Sequence, residues 1–269
     1  MSETKRLLLV VYSFAVALVF TAQALWPEAA LFKGPSAEAW LLRLGALTKL
    51  PLLALAWYHA RATTRALEDG NPARTPWRLM TLGFLGFALG QSMLVFYQLV
   101  LGQSPYPSLA DIFFMSAYPL LIGAFFGFIS AYRESGYPVG TPREHAALGL
   151  VLTAGFAAIS FLLLRPVLAQ AGSLLERVIT AAYPLFDFVL LVPVLILLRM
   201  TAPFRGGAVF RAWALVLFGI VALCAGDILY AYFEVLGRAS LGPLVDATYV
   251  LAYLGLALGA LEQRTLLDG

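Results

Sequence analysis

Charge is scarce in this chain: 12% of its 269 residues are Asp, Glu, Lys or Arg, about half the share usual in a soluble domain. Cysteine is scarcer still. The single Cys224 excludes an internal disulfide or a thiolate metal cluster, and inside an apolar run it reads as a small buried side chain. Two histidines are present, His59 and His145, each near the end of an apolar run and without companion ligands, which argues against a haem or metal centre. Serine-hydrolase, zinc-protease, P-loop and dinucleotide fingerprints are absent. No catalytic residue and no cofactor is therefore assigned. The net charge of +3 and pI near 9.0 come without a basic soluble surface, so nucleic acid is not an expected partner.

What the chain has in excess is apolar length. Hydrophobic residues make up 61% of it and mean hydropathy is +0.84. Runs long enough to cross about 30 Å of hydrocarbon fall near 7–26, 39–60, 78–101, 107–131, 146–165, 174–198, 211–236 and 243–262. The expected fold is an all-α membrane protein of eight transmembrane helices. Lys5, Arg6, Arg61, Arg65, Arg74, Arg78, Arg133, Arg143, Arg199, Arg205, Arg211 and Arg264 all lie on one side of that arrangement, against Lys33, Arg165 and Arg238 on the other. By the positive-inside rule both termini are expected to be cytoplasmic. The first apolar run has the length of a full span, and reads as a helix rather than a cleaved leader.

A short pattern recurs at TKLPLL around Pro51, SAYPLL around Pro119, AAYPLF around Pro184 and LAYLGL around Leu254. Its centres are 68, 65 and 70 residues apart, one helical hairpin each, so four hairpins are expected. At an offset of 135, PSLADIFFMSAYPLL aligns with GPLVDATYVLAYLGL, bringing Asp111 over Asp246, Ala117 over Ala252 and Tyr118 over Tyr253. The reading is two parallel four-helix repeats, 1–132 and 146–269, joined by a cytoplasmic connection at 133–145. LGFLGFALG and LGLALGALE carry small residues at spacings that suit close helix packing.

Eight residues before each pattern centre stands a charge: Arg43, Asp111, Glu176 and Asp246. If the hairpins share an axis, these form an outer rim, although a carboxylate in a first helical turn also suits the helix dipole. Nearer mid-depth come Tyr118, Tyr183 and Tyr253, whose hydroxyls need partners in an apolar surround. Lys49 stands where the other copies have alanine, and Asp187 and Asp227 are the acids at comparable depth. Stranding a charge there is costly, so Lys49 is expected to pair with Asp187 or with Asp227. Gln91 reads as a first-half counterpart of Asp227. These residues make the candidate ligand site, and they fit a sensor, a transporter or lipid-handling protein, or an intramembrane enzyme using its aspartates.

At PSLADIFFMSAYPL, AYPLFDFVLL and the stretch from GDILYAYFEV to LGALEQR, the chain resembles the N-terminal multi-helix membrane segment of bacterial diguanylate cyclases and sensor kinases. That resemblance covers about two thirds of the chain. It implies an input module in the bacterial inner membrane, with the lipid bilayer as its surround and a small-molecule or lipid ligand. The resembled proteins continue into an output domain, whereas this sequence stops soon after its last expected span. Signalling is thus expected to run through a separate cytoplasmic partner.

Overall fold

A computed structural model of the chain describes residues 1, 3–137, 140–169 and 173–268. Its long elements are α1 (Glu3–Leu25), α2 (Pro35–Ala66), α3 (Arg74–Leu99), α4 (Leu109–Glu134) and α5 (Pro142–Ile159), which continues through a π-helical turn (Ser160–Leu164) into α6 (Arg165–Ala169). Then follow α7 (Leu174–Thr201), α8 (Ala208–Val235) and α9 (Gly242–Asp268). Among the described residues seven helices are long and apolar enough to cross a membrane; the fifth expected span falls on a shorter apolar helix, Ala146–Leu162. The connection expected at 133–145 includes residues 138–139, which lie outside the described part.

Local chemistry sets the helix starts. Ser108, Thr141 and Ser173 each cap a helix through a reciprocal bond with the acid three residues on, Asp111, Glu144 and Glu176. Pro35 opens α2, where its missing N–H costs nothing. Pro51, Pro119 and Pro184 lie inside α2, α4 and α7, and each helix runs on through its proline.

Packing arranges α2, α3, α4, α7, α8 and α9, in that order, into a closed ring. Outside it, α1 lies along α9, and the α5–α6 segment lies against α7 and α8. Outward faces are apolar, with Leu7, Leu18, Leu47, Leu150 and Val151 all exposed. In a bilayer such faces gain nothing by finding each other, so close van der Waals packing and interhelical polar bonds hold the ring. The two glycine-containing runs supply the closeness. A Cβ on Gly86 would lie 3.1 Å from the carbonyl oxygen of Phe113 on α4, and one on Gly259 would lie 3.0 Å from that of Ala212 on α8.

One end of the ring is filled by aromatic rings. Trp77 on α3, Phe125, Phe128 and Tyr132 on α4, and Trp213 on α8 interlock there, with Phe128 and Trp213 centred 4.7 Å apart. Trp213 Nε1 donates to the Tyr132 hydroxyl at 2.7 Å. At the same end Glu262 of α9 accepts from Arg6 of α1 at 2.6 Å and from Arg211 of α8 at 3.0 Å, which ties three helices together.

Beyond the apolar segment, Arg199 and Thr141 together hold the Glu144 carboxyl down from its ordinary 4.5 to about 2, the Arg199 hydrogen bond being the larger cause. A depressed carboxyl contributes stability above its unfolded value, and that contribution is lost as pH falls through the folded one. A carboxyl NMR titration of Glu144 is therefore expected to have its midpoint near 2, and to move back toward 4.5 in Arg199→Gln. An unmoved midpoint would remove the Arg199 contact as the cause.

Candidate functional site

The other end of the ring, where α2, α4, α7 and α9 begin, is open inside. A cavity of about 380 Å³ lies there, within the size range of small-molecule sites. Each ring helix contributes to its wall: Lys49 alone from α2; Gln91, Leu94 and Gln98 from α3; Asp111, Phe114 and Tyr118 from α4. Thr180 and Tyr183 come from α7, Asp227, Tyr230 and Ala231 from α8, and Asp246, Tyr249 and Tyr253 from α9. The α3–α4 connection adds Ser104, Pro105 and Tyr106. Tyr106 reaches across to α7, its hydroxyl 2.7 Å from that of Thr180, and meets the Tyr230 ring edge-on.

Polar bonds cross the ring at three places. Tyr118 is 1% exposed, and its hydroxyl lies 2.8 Å from Asp187 Oδ1 and 2.6 Å from Asp227 Oδ2, linking α4 to α7 and α8. Tyr249 donates to Asp227 Oδ1 at 2.5 Å. Tyr183 of α7 donates to Asp111 Oδ1 of α4 at 2.8 Å, while Asp111 Oδ2 accepts from its own helix cap. Lys49 of α2 donates to Asp246 Oδ1 of α9 at 2.7 Å. Asp111 and Asp227 are therefore engaged at both oxygens, whereas Asp246 uses one among the described residues.

Of the residues singled out in the sequence, Lys49, Gln91, Asp111, Tyr118, Tyr183, Asp227, Asp246 and Tyr253 share this cavity. Asp187 lies just behind it, fully buried and held by Tyr118. Two expectations need correction. Lys49 pairs with Asp246, not with Asp187 or Asp227, because α2 packs along α9 while α7 stands opposite it in the ring. The four charges do not form one rim either. Arg43 is exposed on α2 and Glu176 is not part of the cavity wall, whereas Asp111, although it caps its helix as Glu176 does, lines the cavity together with Asp246.

Tyr106, Tyr230 and Tyr249 were not singled out, although two of them carry a signal. Tyr249 follows Asp246 by three residues and precedes Tyr253 by four, and Tyr230 follows Asp227 by three, so both share a helix face with an acid. Tyr106 sits in a connection, where no periodicity applies.

Among the described residues no group of three His, Cys, Asp or Glu is placed to hold a metal ion. His59 lies on α2 with its ring edge-on to Tyr58, and the His145 side chain lies outside the described part. Among the described residues the cavity wall thus holds three carboxyl groups, one ammonium, six tyrosines and two glutamines. Such a surface can orient a small polar ligand through hydrogen bonds and charge. No protein-family model, curated protein or solved structure matches this chain.

Proposed function

We propose that the chain is a sensory or ligand-binding module of the bacterial inner membrane, taking a small molecule in the ring cavity and signalling through a separate cytoplasmic partner. The observation that carries this reading is the cavity itself, walled by all six ring helices, with aromatic side chains packed together at the other end of the ring. A ligand there touches the joints α4–α7 and α9–α2, and can bias two arrangements of the helices around them. The reading includes eight spans, both termini cytoplasmic, and two parallel repeats, 1–132 and 146–269, with 133–145 between them. Matching joints support the repeats: Asp111 on α4 bonds Tyr183 on α7 as Asp246 on α9 bonds Lys49 on α2. The resemblance to the membrane segments of diguanylate cyclases and sensor kinases agrees with an input role.

A variant tests it without disturbing the fold. Gly242 lines the cavity, and nothing lies within 4 Å of a Cβ built on it, so Gly242→Trp has room to fill the mouth. Native mass spectrometry of the wild-type chain is expected to find a bound small molecule that is absent from Gly242→Trp. An adduct retained by the variant would move the site elsewhere.

The second reading, a transporter or lipid-handling protein, draws on the charged groups inside the spans. Flux in proteoliposomes separates the two. The sensor reading expects none for any molecule found bound.

A further inference from the structure

We propose that the cavity takes a small organic cation, with an ammonium head seated at Asp246 among the tyrosine rings. This rests on the ligand-binding reading above and names the chemistry of that ligand.

Charge selects the class. Among the described residues three carboxyl groups line the cavity against the one ammonium of Lys49, and that ammonium is already held by Asp246 at 2.7 Å. An anionic ligand would have to displace Asp246 from Lys49 and then share the space with Asp111 and Asp227. A cation meets the opposite situation. The Asp246 side chain is 40% exposed and keeps one oxygen without a hydrogen bond among the described residues, so it can hold a second ammonium beside Lys49.

The ring wall points the same way. Aromatic faces attract cations through their quadrupole, and desolvated alkylammonium groups are held by surrounding rings. Tyr249 and Tyr253 stand in parallel, centred 6.2 Å apart, one and two turns below Asp246 on α9. Tyr118 and Tyr183 meet edge-on across α4 and α7. Gln91 is 4% exposed, belongs to the cavity wall and makes no hydrogen bond among the described residues. Its amide faces the cavity, where a ligand or water can complete it. Its carbonyl suits an ammonium N–H or a hydroxyl on the same ligand.

Lys49 is then an internal competitor, occupying part of the seat an external ammonium would take. That gives the test its sign. Full-length chain is placed in nanodiscs of phosphatidylglycerol alone and titrated calorimetrically with choline, propylammonium, 3,3-dimethylbutan-1-ol (the neutral isostere of choline) and butyrate. Saturable binding is expected for choline or propylammonium, about tenfold or more above the neutral isostere. Lys49→Met should tighten ammonium binding about tenfold, and Lys49→Met/Asp246→Asn should lose it. A parallel set of discs containing phosphatidylethanolamine asks whether a lipid headgroup supplies the ammonium, in which case free choline competes with it. Thermal unfolding of each variant confirms that the chain is folded.

Equal binding of the neutral isostere overturns the proposal, as does butyrate binding that Lys49→Met abolishes. If none of the four probes binds while the adduct sensitive to Gly242→Trp persists, the cation is wrong and the ligand-binding reading stands. If that adduct is missing too, both fall.

Discussion

Replacing Tyr118 by Phe is expected to destabilise the bundle by roughly 3 kcal/mol, a loss composed of stranded polar partners rather than lost volume. The ring stays the same size, so packing against Phe87 and Phe186 is kept. What goes is one hydroxyl that meets Asp187 at 2.8 Å and Asp227 at 2.6 Å. Asp227 retains Tyr249. Asp187 keeps only the Cys224 thiol and the Asp227 carboxyl beside it: it is 0% exposed, and its Oδ2 already lacks a geometrically formed hydrogen bond among the described residues. A buried polar group left unsatisfied costs about 1–3 kcal/mol, and the substitution affects two of them. Thermal unfolding in nanodiscs measures the loss, and a second variant isolates its cause. Tyr118→Phe/Asp187→Leu should recover most of the stability, because an apolar side chain of similar volume has no bond to lose. If the double variant is no better than the single one, the hydroxyl is not what holds Asp187.

That cluster also marks where sequence reading stops. Tyr118, Asp187 and Asp227 are each legible alone, as polar groups deep in apolar runs. Seven long helices are legible too from their hydropathy, whereas the fifth expected span falls on a shorter one, and three helix starts follow from a Ser or Thr paired with an acid three residues on. Partner choice is not, because it depends on which helices are neighbours in the ring. By depth along the sequence Lys49 has Asp187 and Asp227 to pair with, and the packing of α2 along α9 gives it Asp246 instead. Arg43 and Glu176 share the spacing of Asp111 and Asp246 along the chain but not their azimuth. A depth repeat fixes one coordinate of a side chain, and the helix's rotation about its own axis fixes whether it faces the cavity.

Gly255 is expected to be the least tolerant position of the bundle. A Cβ there would lie 2.7 Å from the backbone nitrogen of Gly219, 2.8 Å from its Cα and 2.9 Å from the carbonyl oxygen of Leu215. Gly219 is equally closed in the other direction, with its Cβ position 2.7 Å from the carbonyl oxygen of Ala252. The three nearest atoms to a Cβ on Gly255 are all backbone, so no side chain can turn aside there. The α8 and α9 axes must separate instead, and with them the Asp227–Tyr249 bond and the wall of the cavity. Overpacking usually costs about 1–3 kcal/mol, and Gly255→Ala should reach the upper end of that range. Gly255→Leu should fail to accumulate as folded protein. Gly123 on α4 provides the opposite case: its Cβ would meet only the Leu79 side chain, at 3.5 Å, an ordinary contact. Gly123→Ala should therefore stabilise by about 0.5–1 kcal/mol through helix propensity. Measured side by side in the same lipid, the two alanine variants should move the unfolding temperature in opposite directions. Equal shifts would mean that α8 and α9 are not in backbone contact at Gly255, and the closed ring would lose one of its joints.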